Sequence, residues 1–368
     1  MTTSVAVWRN IGVMRGIGIV LVALNHASMG AFGVLRETPQ VAGLSAIQVV
    51  VEVLAKSLTP VCLPLFLCAS GFFTWRFSST WTLAAGNARR ILQRYLLWSI
   101  PGFVVVVGLE NHPLDWNDTL STFVGGGPWP TYWFLILLVQ LSLLAPLLAR
   151  LVAAAPGLAL GLALLLQVVA VGVASLAASG NPVLPSHLVI LHLHFFIAGM
   201  LLSARGTAVV AWVAAHRPVA GVVVAVLGVA SCAESVWLGG VFGDGSPASF
   251  VYAGERVSLQ LLAIAMVLFI AALPSSTAAW HKALEWVGLR SLAVLLMMDP
   301  AVRLTTAALW HVDQLVFGVV RQDAVPPDWM MNVALVPVLF VVAIGVPTMT
   351  FHLIETRLGK GVRAFLFA

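Results

Sequence analysis

The sequence predicts an all-α, polytopic integral membrane protein: about ten transmembrane helices forming a single domain over residues 1–368, with both termini in the cytosol. Three observations lead there. Of the 368 residues, 60% are hydrophobic and only 9% are charged, and the mean hydropathy is +1.01, a balance that soluble globular domains do not show. The apolar residues fall into runs close to the ~20 needed to cross a bilayer core. These runs cover residues 12–33, 46–75, 91–109, 131–152, 157–178, 187–204, 217–238, 251–273, 284–308 and 330–352. Finally, the basic residues are distributed unevenly. Of 19 Lys and Arg, only Arg36 and Arg321 lie in links on one side, Lys56, Arg256 and Arg303 lie within spans, and the rest gather at span ends on the other side. The positive-inside rule places that basic side in the cytosol. The formal net charge of +5 is therefore a product of topology, and no nucleic acid or other acidic partner is needed to explain it.

The first span contains MRGIGIVLVALNHASM, Met14 to Met29, in which Arg15 and His26 interrupt an apolar run. At about 100° and 1.5 Å per residue, eleven steps return the helix to nearly the same face, so the two side chains share a stripe about 16 Å apart. A cation near one surface and an imidazole near mid-membrane suit the lining of a polar cavity; a histidine satisfied by a neighbouring helix is the structural alternative. The span follows a short basic segment in the manner of a signal peptide, but cleavage would detach Arg15 and His26, so it is expected to be retained. In the second span Glu52 and Lys56 are spaced to pair, and Pro60 and Pro64 are expected to break the helix. Ser70-Gly71-Phe72 follows, with Gly71 suited to close helix approach.

Arg89, Arg90 and Arg94 stand at the mouth of the third span. Guanidinium groups grip phosphate bidentately, although positive-inside anchoring explains the same charges. The outer link 110–130 carries His112, Asp115 and Asp118 and runs into GGGPWPTYWFL, where Trp129, Tyr132 and Trp133 read as an interfacial aromatic belt that is also a platform for sugars. In the sixth span His192 and His194 fall on different helix faces, and with no His-Glu-x-x-His motif present, no metal is expected. Cys62, Cys68 and Cys232 read as small core residues. Asp299 and Arg303 in the ninth span are spaced i, i+4 and are expected to pair. Glu355 closes the last span against a basic tail.

Several of these stretches, taken in order, resemble the membrane-bound acyltransferase-3 family. They are Arg15-x10-His26 on the first span, Ser70-Gly71-Phe72 ahead of a basic cluster, Trp133-Phe134-Leu135 opening a span, Phe195 to Met200, Ser291 to Pro300, and the final Ile354-Glu355. The resemblance implies an O-acyltransferase of glycans, exopolysaccharide and lipopolysaccharide acetylases included, working in the bacterial inner (cytoplasmic) membrane. It would move an acyl group, usually acetyl, from cytosolic acyl-CoA to a sugar hydroxyl of a cell-surface, exported or lipid-linked glycan. It implies catalysis by His26 with Arg15, with His26 acting as general base or as an acyl-carrying nucleophile. Arg89, Arg90 and Arg94 would meet the phosphates of the donor, acetyl-CoA, and Glu52, Trp133, Asp299 and Arg303 would face the glycan or glycolipid acceptor. The chain departs from the family pattern at Asn87, where an arginine is usual, and at Asp299, where a histidine is usual. A transporter or flippase is the rival reading, because Glu52, Lys56, Glu234, Glu255, Arg256, Asp299 and Arg303 can line a path through the membrane. Against it, no second broken helix matches the first in the other half of the chain.

Overall fold

A computed structural model describes residues 2–36, 53–54, 57–77, 80–109, 116–129, 131–177, 188–241, 256–274, 276–317, 328–358 and 366. Within these residues the chain is helix and connecting turn, without strands. In order the helices are α1 (Thr2–Arg36), α2 (Cys62–Phe77), α3 (Trp81–Leu109), α4 (Trp116–Gly125), α5 (Trp133–Ala154), α6 (Pro156–Ala177), α7 (Leu193–Arg205), α8 (Thr207–Ala215), α9 (Arg217–Val241), α10 (Val257–Ala271), α11 (Ala279–Leu289), α12 (Ser291–Phe317) and α13 (Asp328–Leu353). Among the described residues six helices are long and apolar enough to cross a membrane, and α7 with α8, bent by 89°, makes a seventh if counted as one span.

The first span lies at the centre. α1 packs against α2, α10, α11, α12 and α13, which is why a helix carrying Arg15 and His26 has no wide lipid-facing side. Two close crossings set its surroundings. A Cβ on Gly16 would collide with the carbonyl of Leu284 in α11, and one on Gly288 would collide with the carbonyl of Gly12, so these backbones touch. Likewise Gly71 of α2 abuts the carbonyl of Phe196 in α7, and Gly199 abuts that of Cys68, as the sequence predicts for Gly71. Small residues allow such contact where lipid provides no hydrophobic drive between helices.

Several elements differ from the sequence reading. Pro60 does interrupt the second span, within the 3₁₀ turn Thr59–Val61, but Pro64 sits buried in the first turn of α2. A proline there removes a backbone donor that has no helical partner in any case. The basic cluster belongs to α3, which begins at Trp81, so it is helical rather than part of a link. The expected ninth span, 284–308, divides at Arg290 into α11 and α12.

The largest departure is the expected outer link. In its described part α4 docks through Phe123 while Leu120 and Val124 stay exposed, and the turn that follows folds into the bundle: Tyr95 donates a hydrogen bond to the carbonyl of Phe123, and Gly102 leaves no room for a Cβ beneath Pro128 and Trp129. Tyr95 lies about 20 Å below the outer end of α3. Non-helical backbone is tolerated at that depth only against protein, and here it is enclosed. Trp129 (2% exposed) and Tyr132 (0%) are therefore core residues and not an interfacial belt, while Trp133 is half-buried. Gly126 and Gly127 make the turn possible at φ +127° and +86°.

Candidate functional site

The site has two levels. The cytosolic level is a cavity of about 350 Å³ between α1, α2, α3, α5, α7 and α12, and its polar wall includes Arg15, Ser70, Asn87, Arg90, Arg94, Ser142 and Ser291. α3 contributes residues 87, 90, 91 and 94, which follow helical i, i+3, i+4, i+7 spacing and share one face. Arg89 is turned about 100° from Arg90, and it stays exposed outside the cavity wall. Arg94 is 8% exposed and its Nε has no hydrogen-bond partner among the described residues. Asn87 donates from Nδ2 to Ser142 Oγ at 2.9 Å. Arg15 donates from Nη2 to Ser291 Oγ at 2.8 Å, and its guanidinium lies 6.0 Å from the Phe73 ring centre.

The deeper level is centred on His26. Its Nδ1 is 2.9 Å from Oδ1 of Asp299, with side-chain exposures of 14% and 5%. Asp299 Oδ2 accepts hydrogen bonds from the backbone N–H of Thr131 at 3.1 Å and from its Oγ1 at 2.6 Å. Asp299 therefore spends its oxygens on His26 and Thr131. The expected pair with Arg303 is replaced by a guanidinium lying over the Trp129 ring, 5.4 Å from its centre. A carboxylate accepts only, so the bond to Asp299 assigns a proton to Nδ1 of His26, and in the neutral imidazole Nε2 is then the acceptor. Asn25, next to His26, instead accepts from Thr59 Oγ1 at 2.9 Å, the structural role that its position on a different face predicts.

α1 and α12 are thus joined at both levels, by Arg15 with Ser291 and by His26 with Asp299. The turn after α4 supplies Thr131, and Tyr132 fixes that turn by donating to the carbonyl of Leu296 at 2.7 Å. Trp133 does not line the cavity; its ring lies 6.0 Å from that of His192. Glu52, Lys56 and Glu255 lie outside the described residues. Of the other charges in the rival transport path, Glu234 accepts from the backbone N–H of Ser258 at 3.1 Å and from its hydroxyl, and Arg256 donates to the carbonyl of Ser231 at 3.1 Å. These bonds tie α9 to α10. Glu355 is held by Arg290 at 3.1 Å, an ion pair at the cytosolic end.

The sequence reading missed Thr131, Ser142 and Ser291. Thr131 carried a signal in the run GGGPWPT, whose glycines and prolines mark a tight turn, but nothing in the run showed that the turn folds inward. A family model described as an acyltransferase domain matches residues 8–352, nearly the whole chain. No curated protein and no solved structure matches the chain.

Proposed function

The chain belongs to the acyltransferase-3 family and is a membrane acyltransferase, and from that premise we propose that it moves an acyl group, acetyl foremost, from cytosolic acyl-CoA to a sugar hydroxyl of a cell-surface, exported or lipid-linked glycan. Its setting is the bacterial cytoplasmic membrane. One observation supports the reading above all: the His26–Asp299 pair at 2.9 Å stands one helical turn beyond a cavity that gathers Arg15, Arg90 and Arg94. A base and a phosphate-gripping mouth are what acyl transfer from a coenzyme A thioester requires.

In this reading the arginines hold the donor's phosphates at the cytosolic mouth. Arg90 and Arg94 do so from α3, and Arg15 from a position steadied by Ser291. Asp299 keeps the proton on His26 Nδ1, so Nε2 takes the proton of the acceptor hydroxyl as its oxygen bonds to the thioester carbonyl carbon. When the carbon–sulfur bond breaks, the imidazolium returns that proton to the departing thiolate. The products are an ester and a free thiol, and His26 ends as it began. The donor is a co-substrate, and no metal takes part.

General-base help is worth about 10²–10⁴-fold, so purified His26→Ala protein should lose detectable transfer while still binding donor. Near-normal transfer by that variant would overturn the proposal. Acetyl ester content of surface glycans, compared between cells with and without the protein, tests the acceptor class. An unchanged ester content would remove the glycan assignment.

A further inference from the structure

Four elements around the cavity carry the same succession of levels. Along α12, Ser291, Leu295 and Asp299 follow one another at i, i+4, i+8; along α1 the order is Arg15, Gly18, His26. α2 runs the opposite way, with Thr74 and Ser70 toward the cytosol and Phe66 deeper, and α5 with its preceding turn passes from Ser142 through Leu135 and Phe134 to Thr131. Polar groups occupy the cytosolic level and polar groups surround His26. Between them, on these four elements, the described cavity-wall residues Phe66, Phe134, Leu135 and Leu295 are apolar.

Phe66, Phe134, Leu135 and Leu295 make an apolar layer and form the inner wall of the cavity, whereas His26 and Asp299 lie outside the wall. The four are 8%, 8%, 0% and 5% exposed. The rings of Phe66 and Phe134 lie 5.8 Å apart, tilted by 54°. Gly18 makes space for Phe66, since a Cβ there would come within 3.1 Å of its ring. From Leu295 to Asp299 is one helical turn, about 6 Å.

Resting on the acyltransferase reading, we infer that this collar is the acyl-selecting element of the site, admitting slender straight acyl groups and rejecting branched or aromatic ones. A donor whose phosphates stay at Arg90 and Arg94 reaches His26 acyl end first, so the acyl group must pass the collar before the thioester arrives. A two-carbon acyl group is no wider than the arm that follows it. A branched group must force apart rings that already pack as core, where added methyl groups are disfavoured. The collar therefore sets acyl identity by width at a point separate from the chemistry.

The test compares acetyl-CoA with isobutyryl-CoA on the purified full-length protein, following free thiol release and ester formation. The wild type should favour acetyl by about 100-fold, and Phe66→Ala or Phe134→Ala should cut that preference to about 10-fold or less, within the range that one methyl-sized difference commands in an apolar site. Phe66→Leu and Phe134→Leu, gentler changes to the same wall, should move the ratio in the same direction and decide the matter if an alanine variant fails to fold. Gly18→Ala, which presses on Phe66, should lower use of isobutyryl-CoA further. Equal use of both donors by the wild type, or an unmoved ratio in all the folded Phe variants, would overturn the collar's role and leave the acyltransferase reading standing. Consumption of neither donor by well-folded wild-type protein would instead overturn the acyltransferase reading, and the collar's role with it.

Discussion

A buried carboxylate held between an imidazole and a threonine fixes which ring nitrogen bears the proton. Asp299→Asn keeps the shape but offers an amide that can donate as well as accept, so His26 loses its defined tautomer. Transfer should fall by about 10²–10⁴-fold with donor binding preserved, and parallel rate and binding assays on the purified variant would check this. The arginines divide by helix face. Arg90→Ala with Arg94→Ala should weaken acetyl-CoA binding at least about tenfold, the worth of one lost charge-assisted bond, whereas Arg89→Ala should leave it unchanged; calorimetric titration distinguishes the two. His26 and Arg15 were legible in the sequence because an ionisable group in an apolar run is conspicuous. The partner of Asp299 was not. Spacing along one helix points to Arg303, while the real partners come from α1 and from the turn before α5, and local spacing carries no information about contacts between distant segments.

Between helices, the contacts that place these side chains depend on glycine. Gly288→Leu should lower the Tm of the detergent-solubilised protein by several degrees or abolish folding, because its side chain would meet the backbone of α1 at Gly12 and Gly16. Gly157→Ala in α6, where a Cβ meets nothing within 4 Å, serves as the silent control. Most apolar runs were readable as helices, since length and hydropathy alone define a span. Two features were harder to read. The break at Arg290 falls where apolar residues continue on both sides, and the aromatic cluster from Trp129 to Trp133 looks like an interfacial belt until the turn after α4 is seen to fold inward. Composition cannot tell a ring at the membrane surface from a ring beneath an arginine.

At the scale of the whole molecule, topology and charge agree. The α1 end with Arg9, paired to Glu285 at 3.3 Å, and the Arg290–Glu355 pair at 3.1 Å lie on the side where the basic residues gather. The deep His26 level lies toward the other side. In the proposed function the domain takes one reactant from each side and must still keep the two compartments electrically apart. The layer of Phe66, Phe134, Leu135 and Leu295 is suited to that task, since a narrow apolar constriction sheds water and with it the path for protons. Liposomes holding a pH gradient should therefore stay tight with wild-type protein and discharge faster when both Phe66→Ala and Phe134→Ala are present, with no donor added. A pH-sensitive dye trapped inside would report it, and equal discharge would place the seal elsewhere. The bulk that screens acyl groups would then also be the insulation of the membrane, so a variant opened to a wider substrate would drain the ion gradient of its host.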